Sequence, residues 1–580
     1  MPTAQHRWTQ AYAPGVPATF DLPTQDLPAL LGQNARLFPS RRALVFFGKA
    51  TSYRALDLAV DHFAMGLSLL GVRRGDRVAL YLPNSPQYVI AFYAALRLGA
   101  VAVPVNPLYV ARELEHQLSD CGAKVVVTFG PYLSTLQQVR ARTSLEWVLV
   151  ANLKDDLPWP QKLAFTLFRE RREGHRVRLQ GLLGVRAFRQ VLAEGKRALK
   201  HHPVARAAIA EANAARAMRD LACLLYTGGT TGTPKGAELT HQNLTVNAYQ
   251  CHLWFQTAIG REVVPCALPF SHSYGLTTCL NYGILAAATL LLIPDPRDIR
   301  HLLRTISAER ATFLPGVPTL FRAISDHPDV ERYDLSAIRA CISGGGPLPP
   351  DIKSRFESLT GGVVVEGYGL TEASPVTHAN PVLRGGKSGS VGLPWPEVDC
   401  RVVDLSDAMT PLAPGRIGEL WVKGPQVMRG YWRQPDETKA VLTPDGWLKT
   451  GDLMSMDEAG YCFLHARKKD LIIAGGFKIF PGEVEAIVAQ HPRVAEVAAV
   501  GVPHPYRGET VKIAVVLRPG ETLSAEEIMD WCRERMAKYK VPKIVEFRQE
   551  LPKNALGKVL RRTLVDNSHL GEKRLSARHD

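Results

Sequence analysis

The densest group of potentially reactive side chains in the sequence lies in residues 226–236, Tyr-Thr-Gly-Gly-Thr-Thr-Gly-Thr-Pro-Lys-Gly. Glycines let a backbone adopt positive φ angles and let its amide groups approach an anion closely. The threonine hydroxyls and Lys235 add hydrogen-bond donors and one positive charge. Because residues 221–225 are apolar, we expect the loop to follow a buried strand. The composition predicts a phosphate-binding loop without Walker A spacing, and a flexible surface linker is the alternative.

Five further motifs follow this loop along the chain. They are Ser-Gly-Gly-Gly-Pro at 343–347, Glu-Gly-Tyr-Gly-Leu-Thr-Glu at 366–372, Thr-Gly-Asp at 450–452, Arg-Lys-Lys-Asp at 467–470 and Pro-Lys-Asn-Ala-Leu-Gly-Lys at 552–558. In this order, the six motifs resemble the signature of the acyl-adenylating superfamily, which contains acyl-CoA synthetases, luciferases and peptide-synthetase adenylation domains. The resemblance extends from about residue 51 to about residue 564. An ordered set of this length is not explained by chance.

The resemblance implies an ATP site and a magnesium site. Asp452 and Arg467 would bind the ribose, Tyr368 would stack on adenine, and Glu372 with the hydroxyl of Thr227 would bind Mg²⁺. Outside these motifs, Asp452 would be a turn residue, and Glu372 and Arg467 would be surface charges. The residues that the resemblance assigns to ATP binding are Thr227, Gly228, Gly229, Thr230, Thr231, Gly232, Lys235, Gly344, Gly345, Gly346, Pro347, Tyr368, Gly369, Thr371, Asp452 and Arg467.

Activation of a carboxylate by ATP brings two anions together, so the site needs positive charge at the point of reaction. The resemblance assigns this charge to Lys558 on a mobile C-terminal loop, with Glu372 and His272 as the other catalytic residues. Asp470 would be the hinge about which the C-terminal domain rotates before a thiol attacks. Coenzyme A would then reach the site through a channel lined by Gly475, Gly476 and Phe477.

Two departures from the family pattern leave the rate of rotation and the ordering of the lysine loop open. Ala466 stands where the family often has glycine before the hinge motif. Asn554 and Ala555 stand where a hydroxyl residue is common. Neither substitution removes a charge that the chemistry requires.

Residues 268–276, Leu-Pro-Phe-Ser-His-Ser-Tyr-Gly-Leu, resemble the segment beside the acyl pocket. His272 is expected to orient the carboxylate and to line the path of the thiol, and Tyr274 to form a wall of the pocket. A buried structural histidine is the alternative. The residues that make up these motifs most resemble those of bacterial long-chain fatty-acid–CoA ligases. Because each buried methylene contributes roughly 0.8 kcal/mol, an apolar tunnel could discriminate chain length.

The resemblance therefore predicts a ligase that converts a fatty acid, ATP and coenzyme A into acyl-CoA, AMP and pyrophosphate. Three alternatives stay open. The acid could be medium-chain or aromatic, or the acyl group could pass to a carrier protein. The third is a membrane-bound lipid or nucleotide sensor without turnover, which the joint presence of Lys558, Glu372, Asp452 and Arg467 disfavours.

The elements that must position these residues follow from the apolar pattern of the 580-residue chain. Alternating strand-like and helical stretches predict an α/β fold. We expect a large N-terminal domain, residues 1–469, of two parallel-rich sheets covered by helices, with a small β-rich lobe. A hinge would join it to a small α+β C-terminal domain, residues 470–580. The main expected elements are strands at 77–82, 290–294, 311–314, 340–343, 398–403, 418–422, 497–502, 510–517 and 544–547, and helices at 85–98, 482–490 and 525–536. We expect the segments at 290–294, 311–314 and 340–343 to form one unit.

The composition, 46% hydrophobic and 22% charged, is ordinary for a soluble enzyme. No run of 18 apolar residues occurs, and residues 1–15 lack the apolar core of a signal peptide. The nine cysteines form no CxxC pair, so we expect buried free thiols in the cytoplasm. A homodimer is compatible with the sequence, which does not indicate an oligomeric state.

The net charge of +15 is concentrated in one insert, residues 154–219, which has 15 Lys and Arg against 6 Asp and Glu. Apolar residues such as Trp159, Leu163, Phe165, Leu167 and Phe168 are interleaved with the basic ones. One interpretation is an amphipathic segment on an anionic membrane, which would place the protein peripherally on the inner face. The other interpretation is a helical insert that is rich in arginine and exposed to solvent. No aromatic stacking platform accompanies the charge, so we expect no nucleic acid partner.

Overall fold

The computed structural model describes residues 7–201, 207, 211–227, 234–383, 386–407, 409–474, 477–553 and 557–565. The strands, in chain order, are Arg42–Phe46 (β1), Lys49–Ser52 (β2), Arg77–Tyr81 (β3), Val101–Pro104 (β4), Val125–Phe129 (β5), Trp147–Ala151 (β6), Val185–Ala187 (β7), Leu221–Tyr226 (β8), Gly236–Thr240 (β9), Val263–Cys266 (β10), Thr289–Leu292 (β11), Phe313–Gly316 (β12), Ala340–Ser343 (β13), Val363–Gly369 (β14), Val376–Ala379 (β15), Leu393–Pro394 (β16), Asp399–Val403 (β17), Gly418–Lys423 (β18), Leu448–Met456 (β19), Cys462–Arg467 (β20), Ile472–Ala474 (β21), Phe477–Ile479 (β22), Val494–His504 (β23), Gly508–Leu517 (β24) and Ile544–Phe547 (β25).

Helices alternate with the strands through most of the chain. The α-helices are Leu27–Leu37, Tyr53–Leu69, Pro86–Arg97, Ala111–Cys121, Leu133–Arg140, Trp159–Ala164, Phe188–His201, His241–Phe255, Ser273–Gly275, Tyr282–Leu285, Ile299–Glu309, Pro318–Ser325, Pro350–Thr360, Pro435–Val441, Pro481–Ala489, Ala525–Arg533 and Arg562–Val565. Shorter 3₁₀ or π turns occupy Arg7–Ala11, Gly130–Tyr132, Leu153–Asp156, Phe165–Arg169, Leu276–Asn281, Val330–Arg332, Thr371–Ala373 and Lys468–Asp470.

A seven-stranded sheet in the order β7-β6-β5-β3-β4-β8-β9 positions the phosphate-loop candidate. Its strands are parallel except for the antiparallel pair β8–β9. The expected buried strand before the loop is β8, and residues 227–235 join β8 to β9. The predicted helix that follows β3 is also observed, and Ser85 caps it by accepting a hydrogen bond from the Tyr88 amide at 3.3 Å.

Two further sheets complete the alternating part of the fold, and here one expectation is wrong. The predicted segments at 290–294, 311–314 and 340–343 do not form one unit. The first, β11, belongs to the sheet β10-β11-β1-β2, and the other two, β12 and β13, belong to the sheet β12-β13-β14-β15-β16. The physical reason is that an apolar run identifies a buried strand without identifying its neighbour. Here β11 pairs with β1, which lies far away in sequence.

The predicted β-rich lobe is an antiparallel sheet in the order β17-β18-β19-β20. After it, β21–β25 form one further sheet with helices Pro481–Ala489 and Ala525–Arg533. The apolar residues of this last part pack into clusters of their own, centred on Ile472, Ile513 and Ile528 in one case and on Leu551 and Leu564 in the other. The α/β class with a small α+β C-terminal part is confirmed.

The prediction that the cysteines are buried free thiols is also confirmed, because all nine lie within the described ranges, are buried and form no disulfide. Among the described residues, no helix combines the length and the apolar character needed to cross a membrane.

Candidate active site

The hairpin β19–β20 places Asp452 opposite Arg467, as expected for a pair that acts on one group. Asp452 is 1% exposed, and its Oδ1 lies 2.8 Å from Arg467 Nε. Its Oδ2 accepts a hydrogen bond from the Tyr368 hydroxyl at 2.6 Å. Burial opposes the charge of Arg467, but Asp452 and the other acidic groups near it together outweigh burial and raise the pKa of the guanidinium. Each carboxylate oxygen keeps a second lone pair that can accept from a sugar hydroxyl.

Lys558, from the C-terminal domain, lies within electrostatic reach of this pair. Removal from water and the positive charge of Arg467 lower the pKa of Lys558 to about 8, against the opposing effect of Asp452 and Asp470. The preceding residue, Gly557, has a φ of +76°, and a Cβ there would lie 2.8 Å from Thr319 Cγ2. The chain at Gly557 therefore packs closely against Thr319 of the N-terminal domain.

The two ends of the phosphate-loop candidate are held together. The Thr227 amide donates to the Lys235 carbonyl at 2.9 Å, which closes the hairpin. Lys235 Nζ forms an ion pair with Glu437 and lies 5.2 Å from the centre of the Tyr431 ring. Between these ends, the predicted phosphate contacts Gly228, Gly229, Thr230, Thr231 and Gly232 lie outside the described residues.

Tyr431 connects the phosphate-loop lysine with the predicted metal ligand. Its hydroxyl donates to Glu372 Oε1 at 2.7 Å, while Lys235 lies over its ring. The neighbouring Thr371 Oγ1 lies 3.3 Å from Ser273 Oγ. Glu372 is half-buried and follows β14 in the turn Thr371–Ala373. In this part of the site, the Glu372 carboxylate and the Lys235 ammonium thus both contact the same tyrosine, Tyr431.

The glycine loop after β13 packs against Tyr274. A Cβ at Gly344 would lie 3.0 Å from Tyr274 Cζ, so only glycine lets the backbone lie against this ring. The Tyr274 hydroxyl donates to the carbonyls of Gly316 and Ile342, at 3.1 and 2.8 Å. Gly345 has a φ of +82°, which glycine favours. The Tyr274 ring therefore packs against the predicted adenine loop and supports it.

The rest of the predicted nucleotide loops lies at the same strand ends. Gly346 faces open space, Pro347 follows it, and Gly369 ends β14. A Cβ at Gly369 would lie 2.2 Å from the Pro375 carbonyl oxygen, so the chain turns tightly there. The ends of β13 and β14 thus bring glycine backbone to the site beside the Tyr368 side chain, which donates to Asp452.

His272 presents one defined nitrogen to the site. Its Nδ1 accepts the Tyr274 amide hydrogen at 3.1 Å, so in the neutral ring the remaining proton must sit on Nε2. Burial and the positive charge of Lys558 lower the pKa of His272 to about 4. At neutral pH the ring is therefore uncharged and offers the Nε2–H as a hydrogen-bond donor. This arrangement suits the binding of a carboxylate.

Of the predicted hinge and channel residues, Asp470 lies between β20 and β21, and Phe477 begins β22. Asp470 ends the 3₁₀ turn Lys468–Asp470, and its Oδ2 lies 3.8 Å from Arg561 Nε. Phe477 is 55% exposed and stacks on Tyr539, with ring centroids 4.5 Å apart. Gly475 and Gly476 lie outside the described residues.

Sequence reasoning missed three contacts of the site: Tyr431, Thr319 and Ser273. Tyr431 occurs in Arg-Gly-Tyr-Trp, where nothing in the local pattern distinguishes it from a core aromatic residue. Thr319 and Ser273 are ordinary hydroxyl residues whose relevance depends on contacts between distant segments. No sequence signal available from this chain alone identifies them.

Comparison with known proteins identifies the family to which the chain belongs. The family model "AMP-binding enzyme" matches residues 31–432, and "AMP-binding enzyme C-terminal domain" matches residues 483–558. A long-chain-fatty-acid–CoA ligase of Bacillus subtilis (strain 168) is 40% identical over 97% of this chain and 98% of its own length. A ligase of the same name from Yersinia pestis is 40% identical over 96% and 97%. The crystal structure of an anthranilate CoA ligase in complex with anthranoyl-AMP matches with a TM-score of 0.78 at 26% identity, covering 94% of this chain and 97% of that one. The chain therefore belongs to the family of AMP-binding enzymes.

Proposed function

We propose that this enzyme is an acyl-CoA ligase that activates a long-chain fatty acid with ATP and transfers the acyl group to coenzyme A. The observation that carries the proposal is the position of Lys558. A lysine from the C-terminal domain lies within electrostatic reach of Asp452 and Arg467 and also of His272. The charge of Lys558 is thus felt both at the proposed ribose contacts and at the proposed carboxylate contact.

In the first half-reaction, a carboxylate oxygen attacks the α-phosphorus and pyrophosphate leaves. The Asp452 carboxylate accepts the ribose hydroxyls, and the His272 Nε2–H donates to the fatty-acid carboxylate. Lys558 neutralises negative charge where the two anions meet, and Lys235 does so at the phosphate loop. Because the donors are fixed before substrate arrives, little reorganisation is needed during reaction.

Magnesium fits the residues on the loop side. Glu372 offers a hard carboxylate oxygen, and its position is fixed by the Tyr431 hydroxyl at 2.7 Å. The Thr227 hydroxyl stands at the near end of the phosphate loop. Bound there, the ion would neutralise phosphate charge.

For the second half-reaction, Lys558 must withdraw before a thiol reaches the acyl-adenylate. We propose Asp470 as the hinge, with residues 1–469 and 470–580 as the two domains. Rotation would carry Gly475, Gly476 and Phe477 to the entry of the site, where they would line the pantetheine channel. The exposure of Phe477 in the present arrangement is consistent with a surface that is used only after rotation.

The choice of a long-chain acid is tested by a graded series of substrates. Purified enzyme, ATP and coenzyme A are incubated with straight-chain acids of increasing length, and AMP release and product mass are measured. We expect kcat/KM to rise by about fourfold per added methylene until the tunnel is filled, since each buried methylene contributes roughly 0.8 kcal/mol.

Aromatic acids are the comparison arm, because an anthranilate CoA ligase is among the structural neighbours. Higher kcat/KM with benzoate or anthranilate than with any fatty acid would refute the long-chain assignment. An acyl carrier protein supplied in place of coenzyme A tests the remaining alternative for the acceptor.

The basic insert supports a further partner, an anionic membrane surface. Four apolar side chains of its first helix and the following turn are exposed, Trp159 and Phe168 by 75% each, Leu167 by 65% and Leu163 by 48%. Residues 159, 163 and 167 recur at helical spacing, while Phe165 on another face is buried. Basic residues follow directly in the sequence. We propose that this face inserts among lipid headgroups.

Replacement of Trp159 and Phe168 together by serine should reduce co-sedimentation with anionic vesicles by about tenfold or more, since two exposed aromatic anchors are lost. Ligase activity with a water-soluble acid should be retained. The matched control replaces Met409 and Tyr506, which are 75% and 92% exposed elsewhere. Equal sedimentation of both double variants and the unaltered protein would rule out this surface.

A further inference from the structure

Three side chains outside the active site bring soft metal ligands together in the protein interior. His378 lies on β15, Cys400 on β17 and Cys462 on β20, and one ligand atom from each lies within 4.8 Å of the other two. His378 and Cys462 are fully buried, and Cys400 is 7% exposed. They are far apart in sequence and form no spacing motif, so only the fold makes the cluster visible.

The cluster requires the antiparallel sheet to curl. β17 and β20 are its two edge strands, and in a flat sheet three strand spacings would separate them by about 14 Å. The sulfur atoms of Cys400 and Cys462 are instead within 4.8 Å. The Cys462 amide also donates to the Gly392 carbonyl at 2.9 Å, which ties β20 to the neighbouring sheet that carries His378.

The imidazole of His378 is oriented towards the two sulfur atoms. Its Nδ1 lies 2.9 Å from Thr377 Oγ1. A histidine that donates its Nδ1–H to such a hydroxyl presents the lone pair of Nε2, which is how metal-binding histidines are commonly held. Nε2 is fully buried and has no hydrogen-bond partner among the described residues. Because Nδ1 is engaged by Thr377, Nε2 is the ring nitrogen that remains available to a metal ion shared with the two thiols.

The donor set selects the class of metal. Mg²⁺ and Ca²⁺ prefer oxygen ligands, and none of the three donors is oxygen. Thiolate sulfur and imidazole nitrogen suit Zn²⁺. Two thiolates, a neutral imidazole and a divalent ion together carry no net charge. A neutral site avoids the high cost of placing an uncompensated charge in the core.

We propose that His378 Nε2, Cys400 Sγ and Cys462 Sγ supply three of the ligands of a buried Zn²⁺ ion. The ion would fasten β15 to both edges of the β17–β20 sheet. His378 pairs with Tyr368 across β14–β15, and their ring centroids are 5.8 Å apart. Tyr368 in turn donates to Asp452. The zinc site thus braces the back of the nucleotide pocket without contacting the nucleotide.

The test measures bound metal directly and does not depend on ligase activity. Because a buried site fills as the chain folds, the full-length protein is produced in zinc-supplemented medium and purified under reducing conditions. We expect one zinc per chain by elemental analysis. Protein produced with Co²⁺ should show thiolate-to-cobalt charge-transfer absorption, which a surface-bound ion would not give.

Variants assign the ligands. Cys400→Ala, Cys462→Ala and His378→Gln should each lower the bound zinc towards zero, whereas Cys532→Ala, which removes a buried thiol of the C-terminal domain, should keep it at one. Circular dichroism verifies that each variant is folded. If a variant fails to fold, the cobalt spectrum of the unaltered protein still decides. A metal-free unaltered protein without charge-transfer absorption overturns the proposal.

Discussion

Replacement of Lys558 by alanine should lower the rate of acyl-adenylate formation by about 10²–10³-fold, the loss typical for removal of one preorganised charge-stabilising donor. In the proposed mechanism, Lys558 acts where the carboxylate and the α-phosphate meet, so its charge matters most as negative charge builds up in the transition state. We assign ATP binding to Asp452, Arg467 and the phosphate loop, and it should therefore be largely retained. Exchange of labelled pyrophosphate into ATP measures the half-reaction.

The pH dependence gives a second signature of the same side chain. The pKa of Lys558 is lowered to about 8, so its ammonium is present below that pH and is lost above it. We therefore expect kcat/KM for adenylation to fall as pH rises through about 8, because this parameter reports the free enzyme. Because alanine has no group that titrates, the Lys558→Ala variant should lose this inflection in the pH profile.

Lys553→Ala is the matched control, since Lys553 lies in the same segment and pairs with Glu496 at 2.7 Å. This variant should keep both the rate and the pH profile. Full-rate pyrophosphate exchange in Lys558→Ala would remove Lys558 from the proposed mechanism. A rate loss of equal size in the Lys553 variant would indicate that the structure of the segment, rather than the Lys558 ammonium, determines the rate of adenylation.

The predicted site residues share one property. Each belongs to a short motif that can be recognised from the order and spacing of its residues, without knowledge of the fold. Asp452 and Arg467 come from two such motifs, and the structure joins them at 2.8 Å across one hairpin. The strands and helices were predicted well where apolar periodicity is strong, as in β3 and the helix after it.

What escaped prediction depends on contacts between distant segments. Tyr431 bonds to Glu372, which lies 59 positions away in the chain. The pairing of β11 with β1 joins two apolar strands that are far apart in sequence, and the residues of either strand do not identify the partner. The cluster of His378, Cys400 and Cys462 exists only because a sheet curls, and no residue spacing encodes that curl. Local patterns specify elements and motifs, while packing decides which of them meet.

Asp452→Asn should lower kcat/KM for ATP by about 10²-fold, because hydrogen bonds to a charged group contribute roughly 1.5–3 kcal/mol each and 1.4 kcal/mol corresponds to tenfold. The amide keeps the size of the carboxylate but loses its charge. Where the new side chain turned its NH₂ towards Arg467 or Tyr368, two donors would face each other. Steady-state kinetics with varied ATP measure the effect, and Asp445→Asn, an exposed aspartate before β19, is the control.

Comparison of ATP with 2′-deoxy-ATP separates a ribose contact from a purely structural role of Asp452. If the carboxylate accepts the 2′-hydroxyl, the unaltered enzyme should discriminate strongly between the two nucleotides, and Asp452→Asn should discriminate weakly. A carboxylate that only holds Arg467 and Tyr368 in place would lower both activities and leave their ratio unchanged. An unchanged ratio would therefore reject the ribose assignment even if the variant were slow. Because Asp452 is almost fully buried beside Arg467, a lower melting temperature is expected in either case, so the ratio and not the stability is decisive.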